Sequence, residues 1–324
     1  MTAKTAMQQR RLGKTSIMVS PIGLGVMQFS GGSGVFNLAF PRLTQDRKNA
    51  IIKAALDGGI NWFDSAEMYG LGRSERSLSA ALKAARAKDK QVIIATKWLP
   101  LLRSARNIPR SIENRLRCLD GYTIDLYMVH QPWSLSSPEA EMDAMADLVV
   151  AGKIRSVGVS NFSAERMRRA HQALEKRGLP LAVNQMEYSL LNRKIETDGV
   201  LEAAKELGVT IIAYTPLANG LLSGAYHQHP TLLQAKPVYH RVMIERQIER
   251  TRFLIEALEE IAPRYQVTPA QVALNWAINF QGETVVAIPG ASKVYQAEQA
   301  AGAMNFRLSD EELAQLDHLS QTYR

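Results

Sequence analysis

Short apolar runs alternate with longer amphipathic segments along almost the whole chain, and this alternation constrains the fold more than any other feature of the sequence. The runs lack the polar alternation of a half-exposed strand, so a parallel sheet covered by helices is expected. Eight β-then-α units predict an α/β fold of the (β/α)8 barrel, or TIM barrel, class. The eight runs span residues 19–26, 60–65, 92–97, 124–130, 154–160, 181–188, 210–217 and 284–290.

The segments between the runs carry the start and stop signals that are typical of helices. Thr44 or Asp46 is expected to begin the first of them, and the glycine pair at 58–59 is expected to end it. Ser74 is predicted to open the next helix, and Ser163 is predicted to cap a later one through its side-chain oxygen. These signals support the helical interpretation of the amphipathic segments.

A doubly wound open sheet is the competing architecture. It would favour a G-x-G-x-x-G turn directly after the first strand. The segment GLGVMQFSGG supplies only G-x-G, because Phe29 occupies the position of the third glycine and no helical pattern follows at once. The barrel is therefore the preferred prediction.

The 324 residues are predicted to form one domain, since α/β barrels routinely occupy this length. The barrel is expected over about residues 19–305 and a C-terminal helix over about 309–320. Residues 1–18 are predicted to form a β-hairpin that turns at Gly13-Lys14 and closes the bottom of the barrel. Residues 222–247 predict a long loop after strand 7 that serves as a lid or binding loop.

Composition narrows the function classes. The formal net charge of +8 comes from basic residues spread over many segments, which argues against a nucleic-acid partner. The single cysteine, Cys118, cannot form an internal disulfide, and no apolar run approaches the length of a membrane span. His227, His229 and His240 match no strong metal motif, so no metal site is predicted. A cytoplasmic enzyme without a membrane or nucleic-acid partner is expected.

Polar residues stand at the ends of three consecutive predicted strands, where barrel enzymes carry their chemistry. Asp64 ends the second strand, Lys97 ends the third and His130 ends the fourth, while Tyr69 follows Asp64 at about a loop's length. Each residue alone has an ordinary explanation as a helix cap, a solvated lysine or a rim histidine. Their occurrence on three neighbouring strands predicts a shared site.

The chemistry of these four residue types predicts a tuned general acid. A tyrosine has an ordinary pKa near 10, and an adjacent ammonium is expected to lower it, while Asp64 keeps Lys97 in place and charged. His130 could donate a hydrogen bond to the same carbonyl oxygen. Because no strand end carries a Ser or Cys nucleophile paired with a base, hydride is expected to reach the carbonyl carbon from a cofactor. A carbonyl reductase is predicted.

Three ordered motifs make the sequence similar to the aldo-keto reductase family from about residue 8 to 320. NWFDSAEMYGLGRSE resembles the first signature of the family, VGVSNF resembles the middle one, and TPAQVALNWAI with VVAIPGASK resembles the C-terminal region. The resemblance implies that Asp64, Tyr69, Lys97 and His130 form a catalytic tetrad, with Tyr69 as the proton donor.

The same resemblance implies an NADP(H) site. Ser160, Asn161 and Gln185 would hold the nicotinamide carboxamide, and Tyr214 would stack on the ring. Lys293 would meet the 2′-phosphate that distinguishes NADP(H) from NAD(H). One departure is Ala300, where an asparagine is expected near the adenine. The remaining residues implied in cofactor binding are Thr215, Pro216, Leu217, Gly220, Leu221, Ile288, Pro289, Gly290, Ser292, Gln296 and Gln299.

The substrate is expected to be a small aldehyde or ketone. Phe29, Trp98 and Trp133 follow the first, third and fourth strands and are predicted to line the carbonyl site with aromatic surface. Two alternatives stay open. The chain could be an NADP(H)-binding regulatory subunit resembling potassium-channel beta subunits, or an isomerase or aldolase in which Lys97 forms a Schiff base.

Overall fold

A computed structural model describes residues 9–31, 42–235 and 238–324. Eight parallel strands pair in sequence order, and isolated bridges from Ile22 to Ala287 and from Gly25 to Gly290 join the first of these strands to the last. The (β/α)8 barrel prediction is confirmed. The barrel strands are β3 (Leu24–Gly25), β4 (Trp62–Asp64), β5 (Ile93–Trp98), β6 (Leu126–Val129), β7 (Ser156–Ser160), β8 (Leu181–Glu187), β9 (Thr210–Tyr214) and β10 (Val285–Ile288).

The predicted N-terminal hairpin is present, and it shortens the first barrel strand. Strand β1 (Arg10–Arg11) pairs antiparallel with β2 (Met18–Val19), so the first predicted run is divided between hairpin and barrel. Gly13 turns with φ +53°, and its amide donates to Thr210 Oγ1 over 2.8 Å. Because Thr210 is the first residue of β9, this turn covers the bottom of the barrel, as predicted. Residues 1–8 of the expected hairpin segment lie outside the described chain.

Most predicted helix boundaries are confirmed. The Thr44 side chain accepts from the Arg47 amide at the start of α1, and Ser163 caps α5 in the same way. Ser74 is not a cap, because α2 begins at Arg73 after Gly72, and the Ser74 hydroxyl instead donates to the Val26 carbonyl. The helices are α1 (Gln45–Asp57), α2 (Arg73–Ala84), α3 (Ile108–Leu119), α4 (Pro138–Val150), α5 (Ala164–Glu175), α6 (Val200–Leu207), α7 (Ala225–Gln228), α8 (Val238–Ile261), α9 (Pro269–Asn279), α10 (Val294–Gly302) and α11 (Asp310–Leu319).

The segment after β9 is long, as predicted, but much of it is helical. The expectation of a loop to residue 247 is wrong from residue 238, where α8 begins. Buried residues of α8, including Leu254, Leu258 and Ile261, recur at helical spacing. They follow residue 247, so this helical pattern lies beyond the segment that was interpreted as a loop. Before α8 come α7 and two 3-10 segments, Ala218–Ser223 and Pro230–Ala235.

Of the three histidines considered as metal ligands, His227 contacts α8 and His229 is exposed. His227 Nε2 lies 2.9 Å from Thr251 Oγ1 and 3.2 Å from the Ile248 carbonyl. The side chain of His240 lies outside the described residues. Within the described ranges, no group of three or more His, Cys, Asp or Glu residues is placed to hold a metal ion. Among these residues, no helix is both long and apolar enough to span a membrane.

Glu141 is a buried carboxyl of α4 that predicts a pH-dependent stability. Burial raises the pKa of Glu141 to about 7, against the opposing effects of Ser134 and Arg166 and with a small contribution from Glu139. Because the pKa of Glu141 is higher in the folded protein than in the unfolded chain, the contribution of Glu141 to the free energy of unfolding is fully present below about pH 4.5. That contribution is lost as the pH rises through 7. We expect Glu141→Gln to be up to about 3 kcal/mol more stable than the wild type at pH 8 and nearly equal at pH 4.5.

Urea unfolding at the two pH values measures this difference. Glu139→Gln on the same helix is the matched control, because hydrogen bonds from Arg169 lower the pKa of Glu139 to about 2. A depressed pKa contributes stability that is lost as the pH falls, so the control is expected to show no gain at pH 8. A Glu141→Gln difference that is the same at both pH values would contradict the assignment.

Candidate active site

The carboxyl ends of three neighbouring strands bring the predicted catalytic residues together. β4 ends at Asp64, Lys97 is the penultimate residue of β5, and His130 directly follows β6. Lys97 Nζ lies 2.5 Å from Asp64 Oδ1 and 5.2 Å from the centre of the Tyr69 ring. The rings of Tyr69 and His130 meet edge to face with 5.7 Å between their centres. We call Asp64, Tyr69, Lys97 and His130 the rim cluster.

The ion pair in the rim cluster is removed from water. Lys97 is fully buried and Asp64 is 1% exposed. Lys97 also donates to the Ser65 carbonyl over 2.8 Å. Burial acts to lower the pKa of Lys97, but the neighbouring Asp64 and Tyr69 outweigh it, and the pKa is raised. Lys97 is therefore a fixed positive charge, held in place as the sequence predicted.

The pKa of Tyr69 departs from the prediction. Burial raises it, the Lys97 charge lowers it and the Asp64 charge raises it, so the net direction is upward. The ammonium lowers the pKa of Tyr69, as expected, but the cost of removing a phenolate from water is larger, so the pKa is raised rather than lowered overall. Tyr69 therefore holds its proton firmly at neutral pH.

His130 is neutral in this site. Burial and then the Lys97 charge hold the pKa of His130 well below its ordinary value. Its ring is nearly buried, and Nδ1 has no hydrogen-bond partner in the part of the chain that the structure describes. A neutral imidazole has one N–H donor, which can serve an oxygen placed between His130 and Tyr69.

A chain of hydrogen bonds connects the residues expected at the nicotinamide. The Tyr214 hydroxyl donates to Asn161 Oδ1 over 3.0 Å, and Asn161 Nδ2 donates to Ser160 Oγ over 3.0 Å. Ser160 Oγ in turn donates to the Gln185 carbonyl. Gln185 Nε2 donates to Asp64 Oδ2 over 2.9 Å, which joins this chain to the rim cluster. That last contact was not predicted, and a separation of 121 residues left no local signal for it.

A family model described as the aldo/keto reductase family matches residues 21–321. The chain belongs to this family. An oxidoreductase of Mycobacterium tuberculosis is 36% identical over 313 residues, which cover 94% of this chain and 91% of that protein. A thermostable aldo-keto reductase solved with the inhibitor epalrestat has a TM-score of 0.77 and 30% identity, covering 97% of this chain and 100% of its own. An aldo-keto reductase of Klebsiella pneumoniae solved with NADPH has a TM-score of 0.73 and 29% identity, covering 98% and 96%.

Membership of the aldo/keto reductase family makes the chain an oxidoreductase and confirms the resemblance drawn from the three motifs. The backbone after β9, where the pyrophosphate contact is predicted, is irregular. Thr215 and Gly220 have positive φ values of 52° and 93°, which turn the chain sharply between β9 and α7. Leu217 is half-buried, while Pro216 and Leu221 are buried beneath the turn.

The segment after β10 contains the residues expected near the adenosine phosphate. Ile288 and Pro289 are buried and Gly290 is exposed. Gln296 Oε1 accepts from the amides of Ser292, over 2.8 Å, and Lys293, over 3.1 Å, so it caps α10 rather than projecting freely. Lys293 is exposed at the start of α10.

The two neighbouring residues predicted near the adenine, Gln299 and Ala300, differ in burial. Gln299 is half-buried on α10, whereas Ala300 is 2% exposed and packs in the core.

Sequence reasoning missed Gln28, whose amide lies so close to Gly290 that a Cβ added to Gly290 would stand 2.3 Å from Gln28 Nε2. Gln28 Oε1 is buried without a hydrogen-bond partner within the described ranges. An unpaired amide oxygen beside an exposed glycine is suited to a polar ligand.

The aromatic residues predicted to line the substrate pocket divide into two groups. Phe29 and Trp98 have no exposed surface and belong to the main core. Trp98 Nε1 donates to Asn107, and Lys48 Nζ lies 5.9 Å from the centre of the Phe29 ring. The expectation for these two residues is therefore corrected, because large apolar rings below the rim gain more from packing than from exposure. Trp133 is 53% exposed, so its role in the substrate pocket stays a prediction.

Proposed function

We propose that the chain reduces aldehydes or ketones to alcohols with NADP(H), and that Tyr69 is the proton donor. The observation that carries the proposal is the convergence of Asp64, Tyr69, Lys97 and His130 at one end of the barrel, with the ion pair fully buried. A phenol beside a fixed ammonium and a neutral imidazole can protonate a carbonyl oxygen without covalent attack.

The residues around the rim cluster fit a nicotinamide dinucleotide. Asn161, Gln185 and Ser160 supply amide and hydroxyl groups beside Asp64, and the half-buried Tyr214 ring lies next to them. The buried, unpaired amide oxygen of Gln28 lies in a side chain beside the exposed Gly290, which gives a further polar position for the cofactor. The Klebsiella relative was solved with NADPH, which supports the same cofactor here. When bound, the cofactor supplies hydride to the carbonyl carbon.

In the proposed step, the carbonyl oxygen gains negative charge as its carbon is reduced, and the Tyr69 O–H transfers its proton to that oxygen. The Lys97 ammonium then stabilises the phenolate, and Asp64 keeps the ammonium in position. The His130 N–H donates to the same oxygen, a contribution worth about 3 kcal/mol in comparable sites. Hydride and proton together convert the carbonyl to an alcohol, and solvent returns the proton to Tyr69.

The state of Lys97 disfavours the Schiff-base alternative. Imine formation needs a neutral, accessible amine, whereas Lys97 is fully buried, paired with Asp64 and raised in pKa. The reductase proposal instead uses this residue as a charge, in the state that its surroundings favour.

Exposed apolar residues on three rim loops favour an apolar carbonyl substrate over a sugar. The loops follow β4, β5 and β6, the strands that carry the rim cluster, and each loop exposes at least one large side chain. Such surface stabilises apolar ligands by removing them from water. The residues are Leu71, Leu101, Leu102, Trp133 and Leu135.

A steady-state assay tests the proposal. The purified protein is mixed with NADPH and a panel of aromatic aldehydes, aliphatic ketones and sugars, and the loss of reduced nicotinamide is followed by absorbance. We expect turnover with the aromatic and aliphatic carbonyls. Fluorescence titration with NADPH is the companion measurement, since binding without any turnover would favour the regulatory-subunit alternative and reject the reductase.

Replacing Lys293 by alanine tests the cofactor choice. We expect the KM for NADPH to rise by about tenfold and the KM for NADH to change by less than about twofold, because only NADPH carries the 2′-phosphate. Lys293→Arg is the matched control and should keep the preference for NADPH. An equal rise for both nicotinamides would remove the 2′-phosphate from the role of Lys293.

A further inference from the structure

We propose that Glu67 is a positioning residue which, with Arg103, sets the location of Tyr69 over the rim cluster. The inference rests on the proposed function and assigns a role to the second carboxylate of the DSAEMYG segment. Tyr69 belongs to the loop between β4 and α2 rather than to a strand. Its position relative to Lys97 therefore depends on what holds that loop.

Glu67 attaches the Tyr69 loop to the strand and loop that carry Lys97. The Glu67 amide donates to the Lys97 carbonyl over 3.1 Å, which extends the β4–β5 pairing beyond the end of β4. Its carboxylate then accepts from the Leu99 amide through Oε2, over 3.0 Å, and from Arg103 Nη1 through Oε1, over 2.9 Å. Glu67, two positions before Tyr69, thus makes one contact to Lys97 itself and two to the segment that follows it.

Arg103 extends the same connection to the loop after His130. Its guanidinium donates to Glu67 and also to the Leu99 carbonyl, over 3.3 Å. Its own carbonyl accepts from the Leu135 amide over 2.9 Å. The Glu67–Arg103 pair therefore joins the loops that follow β4, β5 and β6, and these strands bear Asp64, Lys97 and His130.

Burial makes this pair more effective than an ordinary surface ion pair. The Glu67 side chain is 9% exposed and the Arg103 side chain is 32% exposed. A carboxylate with both oxygens occupied in a nearly buried place has little freedom to adopt another geometry. Removing the carboxylate leaves the Leu99 amide without its acceptor and leaves Arg103 Nη1 with the longer contact to the Leu99 carbonyl. The Tyr69 loop then keeps the backbone bond from the Glu67 amide to Lys97 but loses the side-chain contacts to the segment after β5.

The kinetic consequence follows from the geometry of proton transfer. A displacement of about 1 Å in a reacting group can cost about 100-fold in rate, whereas cofactor contacts on β7 to β10 remain in place. We expect Glu67→Ala to lower kcat by about 10- to 100-fold and to leave the Kd for NADPH within about twofold. Glu67→Gln keeps an acceptor for Leu99 but loses the charge, so its kcat should lie between those of Glu67→Ala and the wild type.

A double-mutant cycle separates positioning from a general loss of stability. Arg103→Met should lower kcat like Glu67→Gln, and adding it to Glu67→Ala should cause little further loss, since both act through one contact. Arg155→Met is the matched control, because Arg155 pairs with the nearly buried Asp125 at the opposite end of the barrel. The control should lower the unfolding temperature without changing kcat. Glu67→Ala and Glu67→Gln with wild-type kcat would overturn the proposal.

Hydrogen exchange supplies a readout that does not depend on turnover. The amides of residues 65–72 should exchange faster in Glu67→Ala and in Arg103→Met than in the wild type, and Arg155→Met should leave them unchanged. Unchanged exchange in the first two variants would reject the positioning role even if the wild-type protein reduced no carbonyl. The wild type could also show no turnover while the two variants exchange faster. That result would reject the proposed function but retain the role of Glu67 in holding the loop.

Discussion

Replacing Tyr69 by phenylalanine is expected to lower kcat for carbonyl reduction by about 100- to 10,000-fold, the range that general acids contribute. The variant loses the hydroxyl alone, so the ring can still pack edge to face against His130. The buried Lys97–Asp64 pair also keeps its geometry. The proposed cofactor contacts come from other strands, so the Kd for NADPH should stay within about twofold. A loss confined to kcat would identify Tyr69 as a group that acts in the transition state.

Tyr122→Phe is the matched control for this measurement. The Tyr122 hydroxyl donates to the Ala87 carbonyl over 2.8 Å, and Tyr122 is also nearly buried, but it lies away from the rim cluster. Its loss should cost about 1 kcal/mol of stability and leave kcat unchanged. Equal turnover of Tyr69→Phe and the wild type on an aldehyde would remove Tyr69 from the mechanism.

Replacing Arg193 by methionine is expected to lower the free energy of unfolding by about 3–5 kcal/mol, the usual cost of breaking a buried ion pair on one side. Arg193 has no exposed surface and pairs with Glu196, over 2.7 Å, and with Asp317, over 2.5 Å. Its guanidinium also lies 5.1 Å from the Trp276 ring and 5.0 Å from the Phe280 ring. Methionine preserves the apolar stem but leaves two carboxylates without their buried cation, while the more exposed Arg324 still contacts both.

Urea unfolding followed by circular dichroism measures the loss in the free energy of unfolding, and hydrogen exchange identifies the segments that are destabilised. Arg193 donates to the Asp317 carbonyl and to Ser320, so the end of α11 should exchange faster in the variant. Arg324→Ala is the control, since Arg324 contacts the same carboxylates from a more exposed position and should cost about 1 kcal/mol or less. Wild-type stability of Arg193→Met would show that the carboxylates find other partners.

The barrel was predictable because its signals are local. Apolar runs of strand length repeat with amphipathic segments between them, and side chains such as Thr44 and Ser163 mark helix starts by bonding to amides three residues away. Prediction was wrong where a local signal had two interpretations. Ser74 stands where a cap could stand but bonds to Val26 across the fold, and α8 was overlooked because polar residues conceal its apolar spacing.

The candidate site was predictable to the extent that barrel topology places residues. Strand ends meet at one rim, so Asp64, Lys97 and His130 could be expected together before any distance was known. Burial could not be predicted in the same way. Phe29 and Trp98 lie in the core rather than in a pocket, and the pKa of Tyr69 is raised rather than lowered. Both outcomes depend on how many neighbours surround a side chain, and sequence spacing does not contain that information.

The sequence by itself determined the repeating strand-helix order, the family and the identity of the groups in the rim cluster, because each of these depends on residue type and short-range periodicity. Only the tertiary structure decided that Gln185 bonds to Asp64, that Glu67 and Arg103 join three loops, and that Arg193 holds the end of the chain. Those contacts connect residues far apart in sequence or on separate loops. Their formation depends on the closed packing of the barrel, in which each group is removed from water and must find its partner.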